Sequence, residues 1–262
     1  MDDFLRRLFG GTSGNPHPLE DDSPGLPDTS EVGDLALPPP VRPRVLAIIH
    51  NPTIQPKGGR KAQVAYCWND PDKLAQGYID DLRDASYGYL DYEIVERIEV
   101  DAFPRKQDGF RYTDESFARA WNARQFHQPD AVDYLALVRE FRMIERVDAG
   151  EIDGVWLLGL PYCGYYESIM AGPGAFWCNA PPLGGTQHAR RRFVIMGFNY
   201  ERGVGEMLED MGHRVESIMT RLPRPHLSAS VAAYPPRQIV NTMKTTNIAS
   251  VIPVRRSGSW NA

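Results

Sequence analysis

Three short, continuous apolar runs dominate the hydrophobic pattern of this chain. Runs of this length are typical of strands that are buried on both faces, as in a parallel sheet that helices cover on each side. The ligand crevice of such a sheet lies outside the carboxyl ends of its strands. The runs predict strands over residues 44–49, 154–159 and 192–198.

Amphipathic segments with helix-start and helix-stop signals alternate with these strands. Asp70 and Pro71 are a predicted N-cap and first helical residue, and Gly88 is expected to end that helix. The remaining pattern predicts helices over 113–124, 130–147 and 200–212, and two further strands over 90–100 and 213–219. This order predicts an α/β fold with an open, mostly parallel sheet of about five strands and helices on both faces.

Long connections leave one edge of the predicted sheet. Connections from a helix to the next strand are short, whereas the segments that follow strands, 50–69, 101–113 and 160–190, are long. Connections longer than about 12–15 residues within a compact domain are usually functional or disordered. We therefore expect the functional site at the carboxyl edge of the strands, among these three segments.

The two ends of the chain differ in composition from its centre. The first part is rich in Pro, Gly, Ser and Asp, which predicts that residues 1–43 form a disordered leader. No Asp or Glu follows Glu216, although the chain contains 34 such residues. Residues 220–262 are therefore either a basic disordered tail or a non-native end produced by a change of reading frame. The predicted working domain spans 44–219, an ordinary size for one domain.

Charge and cysteine content argue against several classes of protein. A net charge of −5 provides no general attraction to nucleic acid or to an anionic membrane surface. The three cysteines form no CxxC pair, which argues against a structural zinc site or a disulfide framework. No apolar stretch approaches the roughly 18 residues of a membrane helix, and no signal peptide pattern begins the chain. We expect no nucleic-acid partner and no transmembrane segment, with the cytoplasm as the default location.

The long segment after the strand at 154–159 holds the residues best suited to catalysis. Cys163 follows a buried strand and precedes a predicted helical turn over 165–171. This order is similar to a nucleophile elbow, in which a helix N-terminus lowers the thiol pKa. His50 ends the first strand and is the candidate base, and Glu167 is the candidate acid or orienting carboxylate. The structural alternatives are a packed cysteine and a helix-terminal carboxylate.

Candidate ligand contacts cluster at the same edge. Aromatic rings set among Gly and Pro resemble a surface on which a sugar or another flat ligand stacks; the alternative is that they fold inward as the core of a lid. A helix that opens at Asn199 offers free backbone N–H groups to an anion, although Asn199 as a simple cap is the stronger interpretation. The predicted ligand-binding residues are Asn51, Tyr165, Trp177, Asn179, Asn199, Tyr200 and Arg202.

The residues identify neither a metal nor a cofactor. Glu206, Glu209 and His213 have the spacing of ligands on one helix face, but Gly212 is expected to end the helix and His213 to begin a strand. We therefore predict no metal site there. A cation site formed by His50 and a carboxylate from another strand end is the remaining alternative. No glycine pattern indicates a nucleotide.

Two segments, 172–182 and 191–213, resemble a group of uncharacterised bacterial proteins. The similarity covers about residues 44–219, and it implies no activity and no functional residue for this chain. In its order of elements the chain is also similar to flavodoxin-like and class I glutamine-amidotransferase-like α/β domains. That similarity implies a Rossmann-like sheet and rests on no motif.

These observations lead to one leading hypothesis for the function, a small-ligand-handling domain with hydrolase activity, and to two non-catalytic alternatives. The hydrolase acts on a carbohydrate- or amide-bearing substrate at the crevice, with Cys163, His50 and Glu167 as catalytic residues. The alternatives are a non-catalytic binding module for a small molecule such as a saccharide, or a protein-interaction domain, in which Cys163 is inert. The cofactor and the oligomeric state stay open.

Overall fold

The computed structural model of the protein describes residues 39–221. The predicted leader (1–43) and tail (220–262) lie almost entirely outside the described residues, so both expectations stay predictions. Among the helices that the structure describes, none is both long enough and apolar enough to cross a membrane.

A five-stranded, mostly parallel sheet forms the centre of the fold. The strands are β1 (Arg44–His50), β2 (Thr53–Ile54), β3 (Arg60–Lys61), β4 (Glu93–Val100), β5 (Gly154–Gly159), β6 (Ser168–Ala171) and β7 (Phe193–Asn199). The central sheet has the order β4-β1-β5-β7-β6, in which β6 is antiparallel to its neighbour, and β2 and β3 form a small separate pair. The sheet confirms the predicted open α/β architecture.

Helices cover both faces of this sheet, as the alternation of elements predicts. They are α1 (Ala62–Ala65), α2 (Pro71–Ala85), α3 (Asp114–Ala123), α4 (Tyr134–Glu140), α5 (Met143–Asp148) and α6 (Val204–Met219). Side chains of β1 alternate between two apolar layers. Val45 and Ile49 belong to the layer that α2 and α6 cover, whereas Leu46 and Ile48 belong to the layer of α4 and α5.

Two predicted helix starts are confirmed in atomic detail. The carboxylate of Asp70 accepts hydrogen bonds from two backbone N–H groups in the first turn of α2, at 2.9 and 3.2 Å, and Pro71 begins that helix. Thr113 caps α3 through reciprocal hydrogen bonds with Ser116. These caps satisfy N–H groups that have no partner within the helix.

The fifth predicted strand is wrong, because residues 213–219 belong to helix α6. Gly212 does not end the helix; it is exposed, and a Cβ there would meet no atom within 4 Å. The buried side chains of Met207, Met211 and Arg214 continue one helix face past the glycine. Packing of that face outweighs the roughly 1 kcal/mol that a glycine costs within a helix.

The fifth strand of the sheet is β6, in a segment for which the sequence predicts a helical turn (165–171). All residues of β6 are buried, and the strand pairs with β7 along its whole length. The pairing depends on backbone groups of a strand that follows later in the chain, so no local signal reports it. The nucleophile-elbow interpretation needs a helix after Cys163, and the structure has a strand there instead.

The helix predicted over 130–147 is divided into α4 and α5. Arg142 adopts a left-handed backbone conformation between them, with a φ of 50°. The sequence around this position contains no Gly or Pro that would predict the interruption. α4 begins later than predicted because Asp133 is its N-cap, and the Asp133 carboxylate accepts a hydrogen bond from the backbone N–H of Ala136 at 2.9 Å.

Candidate functional site

The carboxyl edge of the sheet contains a topological switch point. Numbered in chain order, the four parallel strands lie in the order 2-1-3-4, because β4 lies on one side of β1 and β5 on the other. Ligands of open α/β sheets bind at the carboxyl ends of the strands where the order reverses in this way. His50 and Gly159 are the last residues of β1 and β5, and they end side by side at this point.

His50 is buried at this edge and forms a hydrogen bond with a tyrosine. The residue is 3% exposed, and its Nδ1 lies 2.7 Å from the hydroxyl oxygen of Tyr165 in the segment after β5. Burial lowers the pKa of His50 to about 4, and the positive charge of Arg111 acts in the same direction. The imidazole is therefore neutral at pH 7.

Two glycines of the sheet make room for the Tyr165 ring. A Cβ on Gly159 would lie 2.6 Å from Cε2 of Tyr165, and a Cβ on Gly197 of β7 would lie 2.6 Å from the Tyr165 Cβ. Both distances are too short for two carbon atoms that are not bonded. A glycine within a buried strand marks a close approach of another part of the chain. The sequence therefore contains a signal for this contact, although it does not identify the partner.

Cys163 lies beside Tyr165 and is held as a neutral thiol. The residue is 4% exposed, and burial raises the pKa of its thiol to about 12, although the Lys106 charge and the Tyr165 hydroxyl act in the opposite direction. The Tyr165 hydroxyl is hydrogen-bonded to His50 and lies near enough to Cys163 for each group to affect the pKa of the other. The Tyr165 phenol therefore lies beside both the predicted nucleophile, Cys163, and the predicted base, His50.

Lys106 links three segments of this edge through its side-chain contacts. The sequence analysis does not identify it as a candidate. Its side chain is 1% exposed, and its Nζ donates a hydrogen bond to the backbone carbonyl of Tyr162 at 2.6 Å and forms an ion pair with Asp130. A buried ammonium requires partners of this kind. Its one sequence signal is its place in the long segment 101–113, which we expect to be functional.

A small cavity opens beside the His50 ring, on the side of the sheet that α4 covers. It has room for roughly one water molecule. Nε2 of His50 has no hydrogen-bond partner among residues 39–221. Of the charged side chains that line the cavity, Arg105 forms an ion pair with Asp133. The guanidinium of Arg111 forms neither a hydrogen bond nor an ion pair with a described residue. Arg111 and Glu140 are exposed members of the lining, and we take these exposed residues as the mouth of the cavity.

Glu167 and Asn179 form a second group, which faces α6. The side-chain amide of Asn179 donates a hydrogen bond to the Glu167 carboxylate, and its backbone N–H donates to Ser217 at 3.4 Å. Burial, with the charge of Glu167 as the next cause, raises the pKa of Asp210 in α6 to about 7. Glu167, the predicted acid, is therefore connected to α6. No hydrogen bond between described residues joins Glu167 to His50.

Asn51 and Tyr200, two of the predicted ligand contacts, support the edge from within. Asn51 is buried; its side chain donates a hydrogen bond to Glu99 at 3.2 Å and accepts one from the backbone N–H of Gln63 at 3.3 Å. The ring of Tyr200 is fully buried, and its hydroxyl donates to the backbone carbonyl of His50 at 3.1 Å. Both polar groups are therefore used in structural hydrogen bonds.

The last predicted ligand contacts lie nearer the surface. Asn199 is not the N-cap of α6, as expected from the sequence, because Gly203 has that position. The Asn199 side chain instead accepts a hydrogen bond from the backbone N–H of Glu201 at 2.9 Å. Arg202 is exposed and precedes α6, and its guanidinium lies 3.7 Å from the Glu206 carboxylate in the first turn of that helix. Trp177 is 56% exposed, so its ring is free to contact another molecule.

Glu206, Glu209 and His213 lie on one helix, contrary to the expectation that Gly212 separates them. The prediction that Gly212 ends the helix before His213 is therefore wrong. Glu209 and His213 form a pair at 3.6 Å. Across residues 39–221, no group of three or more His, Cys, Asp or Glu side chains is arranged to hold a metal ion.

Comparison with known proteins adds no family assignment. No protein-family model, curated protein or solved structure matches the chain. The resemblance to an uncharacterised bacterial group and to flavodoxin-like or glutamine-amidotransferase-like domains therefore stays a prediction.

Proposed function

We propose that this protein is a small-ligand-binding α/β domain that takes a polar group of its ligand into the cavity beside His50. The observation that carries this proposal is the Nε2 of a histidine that is 3% exposed, lines a cavity at the switch point and has no hydrogen-bond partner within residues 39–221. A polar atom that is held in place before binding and that lines a cavity is a feature of preorganised binding sites.

The size of the cavity determines how a ligand fits. A space for roughly one water molecule admits a single polar group and not a whole metabolite. The rest of the ligand would lie at the mouth, where Arg111 and Glu140 are exposed. These side chains come from the segment after β4 and from the end of α4, so the ligand would contact two of the elements that surround the switch point.

Binding is favoured over hydrolysis because of the charge state of the predicted catalytic pair. A cysteine nucleophile reacts as a thiolate, which an adjacent base or a helix N-terminus stabilises. The pKa of Cys163 is raised to about 12 and that of His50 is lowered to about 4, so both groups are neutral at pH 7. Burial is the main cause of both changes. The hydrolase hypothesis has no support from these two groups.

A stacked saccharide is not the ligand that these contacts favour. Stacking needs an exposed aromatic face. Tyr165 packs against the interior and uses its hydroxyl on His50, and the side-chain amide of Asn179 is used on Glu167. Trp177 has an exposed ring, but the other two predicted contacts, Tyr165 and Asn179, use their polar groups in hydrogen bonds within the protein.

The test is an NMR titration of the ¹⁵N-labelled full-length protein with a set of small polar fragments. A fragment that binds in the cavity is expected to shift the imidazole ¹⁵N resonances of His50 and to leave those of His213 on α6 unchanged. His50→Gln keeps a side chain that can accept a hydrogen bond from Tyr165 but removes the imidazole, so it should abolish binding, which the backbone amide resonances of this variant report. If no fragment shifts the His50 resonances, or if binding survives in His50→Gln, the proposal is wrong.

A further inference from the structure

We infer that the group bound beside His50 is a carboxylate, held by the guanidinium of Arg111 and by the Nε2–H of His50. This inference rests on the proposed function and adds the chemical class of the ligand. It follows from the direction of the hydrogen bonds around His50, from the charge of Arg111, which no described residue pairs, and from the size of the cavity.

The hydrogen bond with Tyr165 determines which imidazole nitrogen carries the proton. A neutral imidazole has one N–H donor and one acceptor nitrogen. The best acceptor for the Tyr165 O–H among the described residues is Nδ1 of His50 at 2.7 Å, because the neighbouring thiol of Cys163 is a weak acceptor. With Nδ1 as the acceptor, the proton lies on Nε2. The histidine therefore presents a fixed N–H donor to the cavity.

Arg111 supplies positive charge at the same place. Its charge acts on His50, and both residues line the cavity. The other arginine of the lining, Arg105, is paired with Asp133, whereas Arg111 is unpaired among residues 39–221. A guanidinium presents parallel N–H donors that match the two oxygens of a carboxylate. A neutral donor next to an unpaired guanidinium favours an anion over a cation or a neutral amide.

Glu140 is the one lining carboxylate without a partner among the described residues. It lies at the end of α4 and also lines the neighbouring surface groove. Its negative charge opposes the binding of an anion. We therefore expect a modest affinity for a simple carboxylate, and an increase in that affinity when the Glu140 charge is removed.

The size of the cavity selects among anions. One carboxylate oxygen occupies about the volume of one water molecule, and the second oxygen can then lie towards Arg111 at the mouth. Phosphate and sulfate are tetrahedral, so they present a wider group at the same opening. A planar carboxylate presents the narrower group, so we expect the cavity to favour it over phosphate and sulfate.

The experiment measures dissociation constants for matched compounds that differ in charge, with the His50 ¹⁵N resonances of the full-length protein as the readout. The probes are acetate against acetamide, benzoate against benzamide, and inorganic phosphate. We expect each carboxylate to bind at least about tenfold more tightly than its amide. We also expect acetate to bind more tightly than phosphate.

Two arginine variants provide a matched comparison. Arg111→Gln should weaken acetate binding at least about tenfold, since it removes the charge-assisted hydrogen bonds. Arg119→Gln makes the same change of charge at an exposed position of α3 that does not line the cavity, so it should leave the affinity unchanged. Glu140→Gln should increase the affinity. Amide resonances of each variant report whether its fold is intact.

Negative results separate this inference from the proposed function. If amides bind as tightly as carboxylates, if phosphate binds more tightly than acetate, or if Arg111→Gln binds acetate as the natural protein does, the cavity binds ligands but the carboxylate inference is wrong. If no compound, charged or neutral, shifts the His50 resonances, the proposed function is wrong and the inference is wrong with it.

Discussion

The hydroxyl oxygen of Tyr165 lies 2.7 Å from Nδ1 of His50, and this hydrogen bond joins the segment after β5 to the end of β1 across the switch point. Tyr200 donates its hydroxyl to the backbone carbonyl of the same histidine at 3.1 Å. Two tyrosines from different segments therefore hold one residue. The carboxyl edge of the sheet is organised around His50.

Replacement of Tyr165 with Phe removes this hydroxyl and leaves Nδ1 of His50 without a partner. We expect the free energy of unfolding to fall by about 1–3 kcal/mol, the cost of an unsatisfied buried polar group. The imidazole also loses the contact that determines its tautomer. Chemical denaturation measures the first effect, and the His50 ¹⁵N resonances measure the second.

Tyr166→Phe is the matched control for that variant. Tyr166 is 40% exposed, and its hydroxyl has no partner among residues 39–221. We expect a change in stability of less than about 0.5 kcal/mol. Equal losses of stability in the two variants would mean that the Tyr165 hydroxyl has no special role.

His50 makes stability depend on pH in the acidic range. The pKa of His50 is about 4 in the folded protein against an ordinary value of 6.5, so the unfolded chain binds more protons between these values. The stabilising contribution of the neutral ring is complete above pH 6.5. It is lost as the pH falls towards 4, by up to about 3 kcal/mol.

Urea denaturation of the natural protein and of His50→Gln between pH 4 and 8 measures this effect. Other groups titrate in both proteins, so the difference between the two profiles isolates His50. We expect that difference to change across pH 6.5 to 4 and to be constant above this range. Parallel profiles would show that the histidine is not held neutral.

Gly197→Ala tests the close approach of the Tyr165 segment to β7. The added Cβ would lie 2.4 Å from the backbone oxygen of Tyr166 and 2.6 Å from the Cβ of Tyr165. Overpacking of a buried site costs about 1–3 kcal/mol. We expect a loss in this range by chemical denaturation, together with a change in the His50 resonances because Tyr165 is displaced.

Gly212→Ala is expected to have the opposite effect. Gly212 lies on the exposed face of α6, where a Cβ meets no atom within 4 Å. Alanine is a better helix former than glycine, so the free energy of unfolding should rise by about 0.5–1 kcal/mol. A loss of stability in this variant would contradict a continuous α6 and would favour the strand that the sequence predicts at 213–219.

The three cysteines should differ in reactivity because they differ in burial. Cys67 is exposed, whereas Cys163 and Cys178 are buried. We expect iodoacetamide at pH 7 to modify Cys67 quickly and the other two only when the protein unfolds, as peptide mass spectrometry can measure. Rapid modification of Cys163 well below the ordinary thiol pKa of about 8.5, lost in His50→Gln, would instead support the hydrolase hypothesis.

Local signals account for the elements that the sequence predicts correctly. The apolar runs locate β1, β5 and β7, because a strand buried on both faces needs apolar side chains on both sides. Asp70 and Thr113 locate the starts of α2 and α3, because a cap acts on the next few residues of its own helix.

The errors occur where a distant contact overrides the local pattern. The sequence of the β6 segment predicts a helical turn, but the segment pairs with β7. Gly212 is a predicted helix end, but packing of Met207, Met211 and Arg214 continues α6 past it. The interruption at Arg142 has no local signal. For β6 and α6 the deciding interaction involves residues far away in the chain, which a periodicity does not record.

The same division applies to the candidate site. The sequence by itself determined that His50, Cys163 and Tyr165 lie at one edge of an α/β sheet, because the segments that follow parallel strands meet there. The tertiary structure alone decided that the Tyr165 hydroxyl engages His50 beside Cys163 and that Arg111 and His50 share a cavity. Burial and long-range packing determine which atoms meet and which groups are charged, and both depend on the whole fold.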